Sequence, residues 1–318
     1  FSPLLFVLAV NSDTLRNEGR VGFMAAMSLL VSLANIGFNY VLIARLDMGV
    51  AGSAYGTAMA QSLGLAIITI FRFRGTTILR LSALRHHRMT HSWGRILALG
   101  APQSLNFIGI ALGSAAIMAA LQIVNSPSYE ATVSAYGIIT RVLTFAYLPL
   151  LGLSHAMQTI TGNNFGAGQW LRSNNSLKLA IVTAFAYCAT LQFAMTLFAE
   201  QIGAAFVDDP VVIAEVSRIL PVIVALFFLA GPLMMIAAFF QAIGDAGRAA
   251  LLGFSKPYLF AIPLTFTFAG TMGEIGIWTA GPVAEALLLV LTAAVLARTA
   301  RIGSLRWGVF HSIAEERT

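Results

Sequence analysis

Charged side chains are scarce in this sequence. Only 10% of its 318 residues are Asp, Glu, Lys or Arg, whereas a soluble globular domain carries about 25%. So few charges cannot cover a water-facing surface, and hydrophobic residues make up 58% of the chain, with a mean hydropathy of +0.82. The composition therefore excludes an ordinary soluble domain and predicts a polytopic membrane protein.

Cysteine is nearly absent, and so are the common catalytic motifs. The single cysteine, Cys188, lies inside an apolar run, so no disulfide framework exists and the redox compartment stays undetermined. No Walker A, Gly-x-Ser-x-Gly or His-Glu-x-x-His pattern occurs, so nucleotide hydrolysis and those hydrolase chemistries have no support. The three histidines of HHRMTH (86–91) have a spacing and a basic setting that argue against a metal site.

Long apolar runs dominate what is present. A helix needs about 20 apolar residues to cross roughly 30 Å of hydrocarbon. The first run, 1–14, is interpreted as the end of a helix. Because the chain begins at Phe1, without Met and already inside an apolar run, we expect an N-terminal segment to be missing. Complete membrane helices are predicted at about 21–44, 50–73, 94–124, 131–160, 176–199, 211–241, 248–271 and 274–298.

The loops between these helices alternate in charge. Basic loops at 15–20, 72–95, 170–178 and 245–256 and a basic tail alternate with acidic or nearly neutral loops at 125–130, 200–215 and 271–275. The positive-inside rule places the basic set in the cytoplasm. The net charge of +6 and the pI of about 9.9 are therefore interpreted as topology signals and not as a nucleic-acid surface. Glu274, at an outer helix end, is expected to be solvated.

The sequence contains an internal repeat. LRNEGRVGF (15–23) resembles AIGDAGRAA (242–250), and GVAGSAYGTAMAQSL (49–63) resembles GEIGIWTAGPVAEAL (273–287). This predicts an all-α integral membrane fold with two six-helix bundles related by the repeat, the first being incomplete in this chain. Residues 1–73 would then end the N-lobe, 74–92 form a cytoplasmic linker, 93–300 form the C-lobe and 301–318 form a cytoplasmic tail.

Several segments together resemble the multidrug and toxic compound extrusion (MATE) family. They are NIGFNYVLI (35–43), GVAGSAYGTAMAQS (49–62), LALGAPQSL (97–105), AYGIITRVLTFAYLPLLGLSHAMQTITGNNFGAGQW (135–170) and FFQAIGDAGRAA (239–250). The resemblance covers nearly the whole chain, from the end of the family's fourth helix to its twelfth. It implies antiport, in which cationic amphiphilic drugs and toxins leave the cell as protons or sodium ions enter.

Asn35 and Asn39 share one face of the helix predicted at 21–44. An unpartnered polar group in lipid costs several kcal/mol, so the pair points at protein or at a water-filled cavity. From the residues alone, helix–helix hydrogen bonding and a cation or proton site both stay open. The resemblance implies an N-lobe site formed by Asn35, Asn39 and Thr57 with an Asp that lies outside this sequence. Some family members have Asp where this chain has Asn39.

Deeper charges and amides supply the other candidates. Arg141, within the helix at 131–160, is either a functional charge or a structural one that caps carbonyls or faces a cleft. Glu285, at the repeat position of Gln61, would take a proton, bind a cation or pair with another helix. The candidate lining of a substrate cleft between the halves is Gln61, Gln103, Asn106, Tyr136, Arg141, Gln158, Gln241 and Glu285.

Other family members carry C-lobe carboxylates on the seventh and tenth helices. The matching stretches here, LNFIGIALG (105–113) and FLAGPLMMI (228–236), contain no Asp or Glu. We therefore predict that this acidic site is absent from the C-lobe.

The predicted function is an antiporter, coupled to H+ or Na+, that works by alternating access in a bacterial cytoplasmic (inner) membrane. The alternative is a flippase of lipid-linked oligosaccharides or lipids from the same superfamily, which Arg141 would favour. A membrane-embedded enzyme would need His, Asp or Glu clustered at one membrane face, and the sequence shows no such cluster. The expected partners are small-molecule substrates and the bilayer, without nucleic acid, an obligate protein partner, a metal or a cofactor other than the coupling ion.

Overall fold

The computed structural model describes residues 2–74, 93–124, 128–303 and 306–310. These residues are almost entirely helical, and the described part contains only one isolated β-bridge, between Arg306 and Phe310. The helices fall into two compact units, residues 1–93 and 94–318. Almost all of the predicted linker 74–92, with its histidines, and most of the predicted tail lie outside the described residues.

The described residues of the N-terminal unit form three helices. They are α1 (Ser2–Asn17), α2 (Val21–Asn39) and α3 (Gly49–Phe73). Helix α2 continues without a break into a π-helical segment, Tyr40–Arg45. A small core of Leu15, Met27 and Ile68 holds the three helices together.

In the part of the C-terminal unit that the structure describes there are nine helices, with a second π-helical segment, Ser255–Ala261, between α10 and α11. They are α4 (Trp93–Val124), α5 (Tyr129–Gly166), α6 (Trp170–Leu197), α7 (Ala199–Ala204), α8 (Pro210–Ile223), α9 (Phe227–Ala242), α10 (Ala246–Phe254), α11 (Ile262–Met272) and α12 (Glu274–Gly303). The core of this unit is formed mainly by α5, α6 and α9, where small residues such as Ala184 and Gly231 bring the backbones of α6 and α9 together.

Seven helical segments of the described chain are long and apolar enough to cross a membrane. They are Val21–Arg45, Gly49–Phe73, Ile96–Val124, Tyr129–Gly166, Trp170–Leu197, Ala246–Met272 and Glu274–Arg301. Each corresponds to a helix predicted from hydropathy, and the continuous segment Ala246–Met272 passes through the second π-helix. The all-α membrane fold is therefore confirmed.

The remaining predicted helix, 211–241, is broken. Helices α8 and α9 meet at a bend of 49° between Ile223 and Phe227. Pro221 lacks the N–H that an unbroken helix would use, which weakens the last turn of α8. Gln192 of α6 spans the break: its Nε2 donates to Ala225 O (2.8 Å), and its Oε1 accepts from Phe228 N (2.9 Å). One amide side chain thus satisfies backbone groups that the break leaves without helical partners.

The internal repeat is visible in the backbone. Gly19 and Gly49 have positive φ angles, +77° and +54°, on either side of α2 and its π-helical extension. Gly244 and Gly273, which have φ angles of +81° and +66°, occupy the same places around α10 to α11. Positive φ suits glycine because it lacks a Cβ. The matching helical segments of the two repeat copies therefore begin and end at glycines with positive φ angles.

Three charged residues have surroundings that differ from those expected from the sequence. Arg72, counted with the basic loop 72–95, is buried in α3, where its Nε donates to Asn11 Oδ1 (2.8 Å) and its Nη1 pairs with Glu18 Oε1 (3.2 Å). Lys256, counted with a basic loop, lies inside the span Ala246–Met272. Glu274, expected to be solvated, pairs with Arg218 of α8 and accepts from Trp278 Nε1 (3.1 Å). Tertiary neighbours, invisible in the sequence, give each charge a partner.

Candidate functional site

Asn35, Asn39 and Thr57 form a chain of hydrogen bonds in the N-terminal unit. Asn39 Nδ2 donates to Asn35 Oδ1 (3.3 Å), and Asn35 Nδ2 donates to Thr57 Oγ1 (3.0 Å). Thr57 Oγ1 donates in turn to the carbonyl oxygen of Ser53 (3.0 Å). The spacing of the amides aligns them along α2, and the packing of α2 on α3 brings Thr57 opposite Asn35. We call these three side chains the amide relay.

The relay ends in an unsatisfied acceptor. Asn39 Oδ1 is buried and has no hydrogen-bond partner among the described residues. Gly56 of α3 faces this oxygen, and a Cβ at position 56 would overlap it. A buried acceptor without a donor is costly. The oxygen is thus suited to bind a group that brings a proton or a positive charge.

The local backbone departs from a regular helix beside this oxygen. Asn39 is the last residue of α2 before the π-helical segment Tyr40–Arg45. A π-helical turn widens the helix and often occurs at functional sites. Immediately afterwards Gly52 packs against Leu42, where a Cβ would lie 3.1 Å from the Leu42 carbonyl carbon. Glycines at 52 and 56 therefore let α3 approach this part of α2 closely.

Among the candidate lining residues of the C-terminal unit, Tyr136 and Gln241 bond to other helices, whereas Gln158 bonds within its own helix. Tyr136 donates from its hydroxyl to Ser114 Oγ (3.3 Å), and its ring lies against Trp278. Gln158 Nε2 donates to Ser154 Oγ (3.1 Å), and Gln241 Nε2 donates to Leu99 O (3.1 Å). Gln103 and Asn106 lie half-buried on α4, and Gln61 lies half-buried on α3, one turn after Thr57.

Arg141 is exposed on α5. Within the part of the chain that the structure describes, it has no ion-pair partner and does not cap a carbonyl. Ser134, Gly137 and Thr144 are exposed on the same face of α5. This stripe of small and polar residues could not be identified from hydropathy alone, because apolar neighbours surround it in sequence.

Glu285 pairs with another helix. Its Oε2 contacts Lys256 Nζ from the second π-helical segment, so the structure selects the pairing that was one of the alternatives for this residue. Lys256 also hydrogen-bonds to the Tyr147 hydroxyl of α5. Sequence reasoning missed Lys256 because it was grouped with the basic loop that precedes it. A Lys ten residues into an apolar span would have been the signal.

The sequence and the fold are similar to those of known proteins. A sequence profile described as MatE matches residues 102–267, more than half of the chain. A FAD transporter of Shewanella oneidensis is 23% identical over 294 residues, which are 90% of this chain and 64% of that protein. Multidrug and toxin extrusion protein 2 of Homo sapiens is 25% identical over 270 residues, which are 83% of this chain and 43% of that protein.

A solved structure gives the same picture of the fold. It is an outward-facing conformation of a multidrug resistance MATE family transporter of the MOP superfamily. It matches 99% of this chain and 68% of its own at a TM-score of 0.82 and 21% sequence identity. The chain spans less than two thirds of the length of the two curated relatives named above.

Proposed function

Because the chain belongs to the MatE family, we propose that it forms part of an ion-coupled exporter of cationic amphiphilic compounds. Protons or sodium ions would enter as the compounds leave, across a bacterial cytoplasmic membrane. The human relative named multidrug and toxin extrusion protein 2 supports the export of drugs and toxins. None of the relatives named above is a flippase, so the alternative of lipid or oligosaccharide flipping gains no support from them.

The observation that carries the proposal is the free oxygen of Asn39. The hydrogen bonds of the relay all run in one direction. Each amide nitrogen donates, and the Thr57 hydroxyl donates a hydrogen bond to the backbone carbonyl of Ser53. The unpaired oxygen is the acceptor left at the open end. Amide oxygens are hard ligands that suit Na+, and they also accept from a protonated carboxyl group. Either ion would satisfy the same buried atom.

An ion bound there would act through its differential affinity for two conformations. A ligand shifts a conformational equilibrium only as far as it binds one state more tightly. The Asn39 oxygen lies where α2 passes into its π-helical segment and where Gly52 and Gly56 keep α3 close. We infer that occupancy of this oxygen favours the close packing of α2 on α3. Loss of the ion would then favour the other orientation in an alternating-access cycle.

Dye efflux from proteoliposomes tests this function. The protein encoded by the full reading frame of the source gene is reconstituted into proteoliposomes. Efflux of a cationic dye is then followed under a proton gradient and a sodium gradient applied separately. We expect efflux to follow one gradient and to collapse in Asn39→Ala. Asn164→Ala is the matched control, because Asn164 Nδ2 bonds only to Ile160 O of its own helix. Efflux that ignores both gradients would contradict the proposal.

A further inference from the structure

A lysine and a glutamate meet in the middle of the C-terminal unit. Lys256 lies ten residues after the start of α10, and Glu285 lies eleven residues after the start of α12. At 1.5 Å per residue, they lie about 15 to 17 Å from the starts of their membrane spans, Ala246–Met272 and Glu274–Arg301. The Glu285 side chain is 7% exposed, whereas that of Lys256 is 33% exposed. The carboxylate is therefore enclosed and in contact with the ammonium of the more exposed lysine.

The groups around this pair come from three other helices. Tyr147 of α5 hydrogen-bonds to Lys256, and its ring packs edge-on against Phe227 at the start of α9. Cys188 of α6 is close enough to both charges to interact with them electrostatically. Glu285 and Tyr147 are the groups that act on the lysine. The site therefore holds one carboxylate, one ammonium, one phenol and one thiol.

A carboxylate at this depth needs a positive partner. Removing one member of a buried ion pair is strongly destabilising, because the remaining charge is left uncompensated. Here the positive partner is the ammonium group of Lys256, which is part of the protein chain and so cannot diffuse away. A soluble cation would have to displace the ammonium before it could bind Glu285. The pair thus satisfies the carboxylate without an ion from either side of the membrane.

We propose that Lys256 is a tethered counter-cation that occupies a latent monovalent-cation site formed by Glu285 and Tyr147. Its presence keeps soluble ions out of the C-terminal unit and leaves ion coupling to the amide relay. The assignment of ion coupling to the amide relay rests on the proposed function, whereas the role of Lys256 as a counter-cation does not. Removal of the lysine charge would open the site to Na+, because the carboxylate and phenol oxygens are suitable hard ligands.

Thermal unfolding of the purified full-length protein tests the latent site. Melting temperatures are measured in NaCl and in choline chloride at equal ionic strength for wild type, Lys256→Met and Lys256→Met with Glu285→Gln. We expect Na+ to stabilise only Lys256→Met, by roughly 4 °C at about 100 times the dissociation constant. The double variant should fold without a Na+ response, since a neutral pair replaces the ion pair. A folded Lys256→Met variant that does not respond to Na+ would overturn the proposal.

A second readout applies even if Lys256→Met does not fold. In the double variant, the number of coupling ions moved per dye should equal that of wild type, since neither charge takes part in coupling. A changed ratio would overturn the proposal. Adding Asn39→Ala to Lys256→Met keeps the two ideas separate: the Na+ response should persist there. Failure of dye efflux alone would then count against the proposed function, and failure of the Na+ response alone against the counter-cation.

Discussion

At the level of single residues, the amide relay depends on the absence of a side chain at Gly56. Gly56 leaves room for the Asn39 amide, and a methyl group at this position would overlap the oxygen that has no partner. The backbone nitrogen of Asn39 lies 3.1 Å from the same point, so the asparagine cannot simply retreat. A one-carbon change at Gly56 therefore tests whether the room left for this oxygen matters.

Gly56→Ala should displace Asn39 and separate α2 from α3. Overpacking of this kind costs roughly 1–3 kcal/mol. We expect a lower melting temperature and a loss of ion-driven efflux in the full-length protein. Gly37→Ala on α2 is the control, because nothing lies within 4 Å of a Cβ there. If Gly56→Ala transports normally, the close approach of α3 is not needed for function.

The residue scale also shows what the sequence could predict. The spacing of Asn35 and Asn39 predicted a shared face, and the structure gives them a hydrogen bond to each other. Their partner Thr57 followed from the family resemblance and not from spacing. The role of Gly56 and the pairing of Lys256 with Glu285 depend on contacts between helices that are distant in sequence. Whether the relay binds an ion stays a prediction.

At the level of elements, the break between α8 and α9 is the largest departure from the predicted helices. Hydropathy is continuous over 211–241, so it indicated one helix. Pro221 was a weak signal, since prolines also occur inside the helices α4, α5 and α12. What distinguishes this position is Gln192, which lies on another helix and satisfies the freed backbone groups.

Gln192→Leu should destabilise the C-terminal unit. It removes the acceptor for Phe228 N and the donor for Ala225 O, and a backbone group without a partner inside a membrane is costly. The expected result is a lower melting temperature, measured in detergent on the full-length protein. Gln122→Leu, at an exposed position of α4, provides the comparison. Equal melting temperatures for the two variants would show that the break needs no side-chain support.

At the level of the whole molecule, the repeat predicted from short sequence matches is present in the backbone. Gly276 and Gly52 pack against the preceding helical segment in their respective copies, where a Cβ would meet Phe268 and Leu42. The two copies differ in their charges. The first carries the uncharged amide relay, whereas the second carries the Lys256–Glu285 pair. We infer that the repeats share a scaffold and divide the task, with ion coupling in the first copy.

Direct measurement of cation binding tests this division most sharply. Binding of radioactive sodium and uptake of protons would be measured on the purified full-length protein, on Asn39→Ala and on the Asn164→Ala control. We predict that Asn39→Ala weakens binding of the coupling ion about tenfold or more, equivalent to roughly 1.4 kcal/mol, while the control binds as wild type does. Unchanged binding in Asn39→Ala would contradict the central claim and return the two asparagines to a purely structural role between helices.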